Sequence, residues 1–228
     1  MSMSDYLEAS KELHKSNPDY GKASEYQNKS SMKYRLTIPA AWDNLCQKFH
    51  TNSILDYGTG KGGLVDMLSI NATLDKDIQG YDPGIERFMK KPNKKFDVVT
   101  SIDVLEHISH QEIDNILTDI AKFTGGFFFF CIDLLPASKK TVDKRNAHFL
   151  LAPADWWASK IKQKFKICTF IEVGELENKS EYPIHLFGCA TNSMKQFSRI
   201  NCFLENINAI HYRWVWNPKM GGCSLKKY

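Results

Sequence analysis

A short apolar strand that ends in an acid and breaks into a glycine-rich turn, Ser53-Ile54-Leu55-Asp56-Tyr57-Gly58-Thr59-Gly60-Lys61-Gly62-Gly63-Leu64, constrains this chain more than any other segment. Glycine tolerates positive φ and lacks the Cβ that would hold a ligand away from the backbone. A helix opening near Gly62 points free N–H groups at whatever sits there. Gly58, Gly60 and Gly63 also satisfy the dinucleotide pattern G-x-G-x-x-G, so the turn alone does not choose between ligands.

Asp56 shifts the choice. Two residues before the first glycine, a carboxylate repels a pyrophosphate and attracts an ammonium group. S-adenosylmethionine (SAM) carries such an ammonium together with a cationic sulfonium. A second acid, Asp82, follows the next strand, Ile78-Gln79-Gly80-Tyr81, and its two oxygens suit two ribose hydroxyls. Nicotinamide dinucleotide sites use the same device, so Asp82 does not separate the cofactors.

The chain's 228 residues, 43% of them hydrophobic, suffice for one α/β unit. A formal charge of +4 argues little for nucleic acid; Lys90, Lys91, Lys94 and Lys95 form one local basic cluster. The six cysteines are widely spaced with no C-x-x-C pair, which fits neither a zinc site nor a small disulfide framework. The start, Met1-Ser2-Met3-Ser4-Asp5, leads into no apolar segment, and the longest apolar run, Phe127 to Leu135, is too short to span a bilayer. The expectation is a soluble, cytoplasmic protein with no membrane partner; its oligomeric state is left open.

Residues 1–50 are expected to be an N-terminal helical extension or lid, 51–192 a cofactor-binding core, and 193–228 a helix and aromatic tail of the same domain. Within the extension, residues 4 to 15 suit a short helix, and Pro39 opens a second with Ile38, Trp42, Leu45 and Phe49 on one face. The core alternates strands at 53–58, 78–82, 96–102 and 126–133 with helices at about 62–70 and 111–123 and a short helix near Ile85 to Met89. Ser109-x-x-Glu112 reads as a capping box, and Ile113, Ile116, Leu117 and Ile120 as a buried stripe. A helix opened by Pro153 and Asp155 carries Trp157, Ile161 and Phe165 inward, and strands near 166–173 and 185–191 close the sheet antiparallel. Phe197, Ile200, Phe203 and Ile207 suggest one more helix. The fold class is α/β: a Rossmann-like, doubly wound, mostly parallel sheet of about six strands with helices on both faces.

Asp56-Tyr57-Gly58-Thr59-Gly60-Lys61-Gly62 resembles motif I of the class I SAM-dependent methyltransferases, Asp82 their acid after the second strand, and Phe96 to Ile108, with Asp103-Val104-Leu105-Glu106-His107, their fourth-strand motif. Tyr20-Gly21 and Arg145-Asn146-Ala147-His148 further resemble a bacterial and phage-encoded group of these enzymes, over roughly residues 20 to 165. The resemblance implies SAM as cofactor, bound by Asp56, Tyr57, Gly58, Gly60, Gly62, Tyr81, Asp82, Ile102 and Asp103. It also implies that Tyr20 and Tyr26 fold over it as a lid. Adenine and ribose would lie near Asp82 and Tyr81, the methionyl end near Asp56 and Gly58.

The candidate catalytic residues are His148, His107 and Asn146. Imidazole titrates near working pH and can take a proton from an acceptor, and the loop carrying His148 commonly shapes the acceptor pocket in this family. A latch, with Asn146 and Arg145 tying loop backbone together, is the rival reading. Trp156 and Trp157 suit core packing better than stacking on an acceptor. Asp103-x-x-Glu106-His107 with His148 also resembles the divalent-metal set of the small-RNA 3′-terminal 2′-O-methyltransferases, which implies Mg²⁺, Mn²⁺ or Zn²⁺; Leu-Glu-His occurs in metal-free enzymes too, and the leading expectation includes no metal. That expectation is methyl transfer to oxygen or nitrogen of a small-molecule or sugar-like acceptor. The alternatives are a metal-assisted nucleic-acid 2′-O-methyltransferase and a SAM- or dinucleotide-binding protein without methyl transfer.

Overall fold

The computed structural model of the protein describes residues 8, 11–12, 14–16, 51–70, 76–138, 140–141, 144–173, 184–196, 212–217, 219 and 222–227, with the backbone alone for 173, 212–217 and 222–227. Strand β1 (Ser53–Tyr57) is followed by helix α1 (Gly63–Ile70), β2 (Asp77–Tyr81) and a 3-10 turn at Glu86–Phe88. Next come β3 (Phe96–Ile102), a 3-10 turn at Leu105–His107, α2 (Ile113–Phe123), β4 (Thr124–Asp133) and α3 (Ala154–Lys162). The remaining strands are β5 (Ile167–Val173), β6 (His185–Thr191), β7 (Tyr212–Asn217) and β8 (Gly222–Lys227).

One sheet runs in the order β2-β1-β3-β4-β6-β5-β8-β7. β1 pairs in parallel with β2 and β3, and β3 with β4, so these strands end along the same edge. β6 lies antiparallel between β4 and β5. Strand order reverses between β1 and β3. Right-handed crossovers therefore put the β1–β2 and β3–β4 connections on opposite faces, the doubly wound arrangement. The stretch from Asp82 to Phe96 holds a 3-10 turn and no strand, as its length predicts.

The apolar pattern explains which faces are covered. Leu55, Val99, Phe128 and Phe130 meet Ile113, Ile116, Leu117 and Ile120 of α2 and Trp157 and Ile161 of α3 in one buried cluster. Phe127 and Phe129, which alternate with those positions, are equally buried, so β4 is covered on both faces. Each such side chain contributes about 1.5–3 kcal/mol on burial.

Two expectations meet a different outcome. The capping box does not form: Glu112 occupies the N-cap of α2 without a side-chain cap bond, and the backbone carbonyl of Ser109 accepts the N–H groups of Glu112 and Ile113 instead. The second concerns the aromatic tail, part of which is strand. β7 and β8 form an antiparallel hairpin, and β8 joins the sheet parallel to β5 at Ile171 and Glu172. The second N-terminal helix, the helix of residues 197 to 207 and the two lid tyrosines lie outside the described residues.

Trp157 is fully buried, whereas Trp156 is partly exposed and meets Trp157 and His110 edge-on. Trp157→Ala should cost about 3–5 kcal/mol in urea unfolding, and Trp156→Ala much less; equal losses would contradict this packing of α3.

Candidate active site

The glycine turn is built by one acceptor and one close contact. The Tyr81 carbonyl accepts the N–H groups of Gly58 (2.7 Å) and Thr59 (3.2 Å), folding the chain back over the end of β2. Gly58 has φ +80°, and a Cβ there would lie 2.4 Å from Cγ1 of Val104. Glycine is therefore required twice, by the backbone and by its neighbour. The contact also joins the turn after β1 to the turn after β3, at the reversal of strand order where open α/β sheets bind ligands.

Asp82 braces this turn: its Oδ2 accepts the N–H of Gly60 at 3.0 Å and its Oδ1 that of Gly84 at 2.8 Å. Burial raises its pKa, and these two bonds oppose the rise. Each oxygen keeps a further lone pair for a hydroxyl. Asp56 is 4% exposed, and its Oδ1 accepts the Thr100 hydroxyl at 2.8 Å. Burial lifts its pKa from 3.8 to about 6, against the hydroxyls of Thr59 and Thr100, with the charge of Asp82 adding to the rise. Ionising Asp56 therefore costs the fold about 3 kcal/mol, lost as pH climbs from 3.8 to about 6. A cation beside it would recover that cost.

Tyr57 and Tyr81 take other places than expected. They are register partners on β1 and β2, their rings meet edge-on at 5.2 Å, and Tyr57 also touches Phe123 of α2. Both rings point into the core, because side chains alternate along a strand and Asp56 takes the opposite side from Tyr57. What Tyr81 presents to the turn is its carbonyl. Ile102 is buried. Asp103 has φ +53°, donates its N–H to the Cys131 carbonyl and accepts the Cys131 thiol at 3.5 Å. A non-glycine residue in this region is strained, and such strain collects at functional sites.

His14 is a residue the sequence did not single out. It belongs to the helical N-terminal residues, is 9% exposed, and its Cε1 would lie 2.9 Å from a Cβ on Gly60. A lone histidine on a short polar helix carries no motif or periodic signal, so only packing reveals it. Tyr20 lies outside the described residues.

Beyond Val104, the Leu105–His107 turn and the loop after β4 bring Glu106, His107 and His148 together, one donor atom of each within 4.8 Å of the others. Glu106 is fully buried. Its Oε1 accepts the Asp133 N–H at 3.0 Å, and its carbonyl accepts the Leu150 N–H. His107 Nδ1 bonds the Ala147 carbonyl at 2.7 Å and His148 Nδ1 the Leu135 carbonyl at 2.5 Å. A carbonyl only accepts, so both Nδ1 atoms carry a proton, and in the neutral ring each Nε2 carries the lone pair. The rings meet edge-on at 4.8 Å. Such a trio can take up a proton or hold a divalent cation. Asp103 is not part of it.

Asn146 has the geometry of the latch. Its Oδ1 accepts the N–H groups of Ala137 (3.0 Å) and His148 (2.9 Å), and its Nδ2 donates to the Ala137 carbonyl at 2.9 Å. The amide is engaged by loop backbone, through which Asn146 positions His148. Lys144 turns the same loop at φ +65°. In the lysine cluster, Lys91 pairs with Asp119 and Lys94 with Asp77, which removes much of its appeal for phosphate. Among the described residues, no helix is long and apolar enough to cross a membrane.

A family model described as a methyltransferase domain matches residues 22–178. The chain belongs to this family. No curated protein matches it. Among solved structures, the 1,6-didemethyltoxoflavin N1-methyltransferase of Burkholderia thailandensis, with 1,6-didemethyltoxoflavin and S-adenosylhomocysteine bound, is similar at a TM-score of 0.53. The two are 12% identical, over 83% of this chain and 90% of that one. The plantazolicin methyltransferase BpumL, in complex with S-adenosylhomocysteine, is similar at 0.50, with 13% identity over 82% of this chain and 95% of that one. With this domain on this sheet, the chain is a class I SAM-dependent methyltransferase, and SAM is its cofactor.

Asp56→Asn separates binding from stability. The carboxamide keeps an acceptor for Thr100 but loses the charge, so SAM should bind about tenfold or more weakly by calorimetry, while stability at pH 8 holds or rises. In the native protein, affinity should fall as pH drops through about 6, where Asp56 becomes neutral. Unchanged affinity in the variant would remove Asp56 from the ammonium site.

Proposed function

We propose that the protein transfers the methyl group of SAM to oxygen or nitrogen of a small-molecule or sugar-like acceptor, with His148 as the proton acceptor. The observation that carries this reading is the hold on His148, whose Nδ1 donates to the Leu135 carbonyl so that Nε2 bears the lone pair of the neutral ring, in a residue grouped with His107 and Glu106. SAM would lie across the glycine turn, with its ammonium toward Asp56 and its ribose toward Asp82. The contact of Gly58 with Val104 keeps that turn next to the segment bearing Glu106 and His107.

The reaction is an in-line displacement. The acceptor's lone pair forms the new bond to the methyl carbon, the carbon–sulfur bond breaks, and its electron pair neutralises the sulfonium. The acceptor's proton passes to Nε2 of His148. Since the sulfonium already activates the methyl group, holding the nucleophile on the sulfur axis does much of the work. His107 shapes the floor of the acceptor site, and Asn146 keeps His148 in place through its backbone. Both structural relatives named above carry small-molecule acceptors in their names. The nucleic-acid alternative is less favoured, because two of the four clustered lysines are already paired with aspartates.

His148→Ala should lower turnover about 10²–10⁴-fold while SAM affinity by calorimetry stays within a few-fold. A screen of small-molecule acceptors with radiolabelled methyl donor supplies the assay. Equal losses of turnover and SAM affinity would place His148 in the cofactor site and overturn its assignment as the base.

A further inference from the structure

The donor chemistry of Glu106, His107 and His148 reaches beyond proton transfer. We infer that these three residues form a binding site for one divalent transition cation of the imidazole-preferring kind, Zn²⁺ or Co²⁺ and not Mg²⁺.

Orientation is the first argument. A histidine that binds a metal through one nitrogen almost always donates its other N–H to a carboxylate, a backbone carbonyl or water, which fixes tautomer and ring angle. Both imidazoles here are held so, His107 by Ala147 and His148 by Leu135. The carboxylate is held too, by the Asp133 N–H on Oε1. All three donors are thus aimed by backbone groups from different segments. The His148 backbone is fixed in turn by Asn146.

Charge and spacing agree. Glu106 is fully buried, and a carboxylate out of water is stabilised by a cation at its side. The donor atoms lie within 4.8 Å of one another. Bonds of about 2.0–2.2 Å need donors about 3.3–3.6 Å apart in a tetrahedral site, so small side-chain rotations close it. Two nitrogens and one oxygen suit zinc or cobalt, whereas Mg²⁺ demands oxygen ligands and keeps its waters.

The site departs from the four-residue set that the sequence resembles. Asp103 stands apart, its carboxylate engaged by the Cys131 thiol. Three protein donors leave at least one position open to water or an acceptor atom. A cation there would supply Lewis acidity toward an acceptor hydroxyl, and it would compete with the proton for the His148 lone pair.

Binding is measured without SAM, so the result is independent of the methyl-transfer reading. Chelator-stripped protein is titrated with Co²⁺, followed by its visible d–d absorption, and the bound metal is counted after equilibrium dialysis. The expected result is one equivalent bound, displaced by Zn²⁺ and not by Mg²⁺. Glu106→Gln, which keeps the Asp133 hydrogen bond, and His148→Gln should each weaken Co²⁺ at least about tenfold, with native circular dichroism. If Glu106→Gln fails to fold, His107→Gln takes its place. Asp103→Asn should leave Co²⁺ affinity within about twofold. No cobalt band, a band unchanged in both the Glu106 and His148 variants, or a loss in Asp103→Asn as large as theirs would overturn the three-donor site. SAM affinity in the same samples reports separately on the cofactor turn.

Discussion

The close approach of Gly58 to Val104 is the contact on which the rest of the site depends. It sets the distance between the turn that would carry the cofactor and the turn that carries Glu106 and His107. Parallel pairing of β1 with β3 brings the two turns to the same edge of the sheet, and the missing Cβ lets them touch. Around this contact the acids divide the labour. Asp82 ties the glycine turn to the segment after β2, while Glu106 ties the segment after β3 to the ends of β4 and its loop. The carboxylate of Asp82 holds two backbone N–H groups in place and that of Glu106 one, a geometry that leaves little for ligand binding to order.

Asp56 works differently. Its burial holds the carboxyl near pH 6 in an otherwise well-braced turn, so the unliganded fold carries an electrostatic cost at neutral pH that an arriving cation relieves. With the cofactor's ammonium placed there, as proposed, part of its affinity would be prepared by the fold before binding. This is a local exchange of stability for recognition.

Much of the architecture was legible because its signals were redundant. The six strands of the core and three helices follow from apolar runs, periodic stripes and glycine or proline at the boundaries, and they match the structure to within a residue or two. Long-range partners were not legible. Tyr57 and Tyr81 sit within cofactor motifs, yet register pairing turns both rings into the core. Ser109 has the right spacing for a cap, but its carbonyl takes the hydrogen bonds a side chain would have made. The grouping of His148 with Glu106 and His107, which a loop closes from more than forty residues away in sequence, was reached only through the resemblance to a metal-binding set, and the separation of Asp103 from it depends on a left-handed backbone angle that no spacing encodes.

The hairpin of β7 and β8 has a consequence for the far side of the sheet. β5 would otherwise present a row of unsatisfied peptide groups along its outer margin, a template on which a second chain could zip. By lying parallel to β5 at Ile171 and Glu172, β8 occupies that margin and hands the exposed border on to β7. The last strands therefore act as a selvedge, carrying the sheet's border outward by two strands on the side away from the glycine turn.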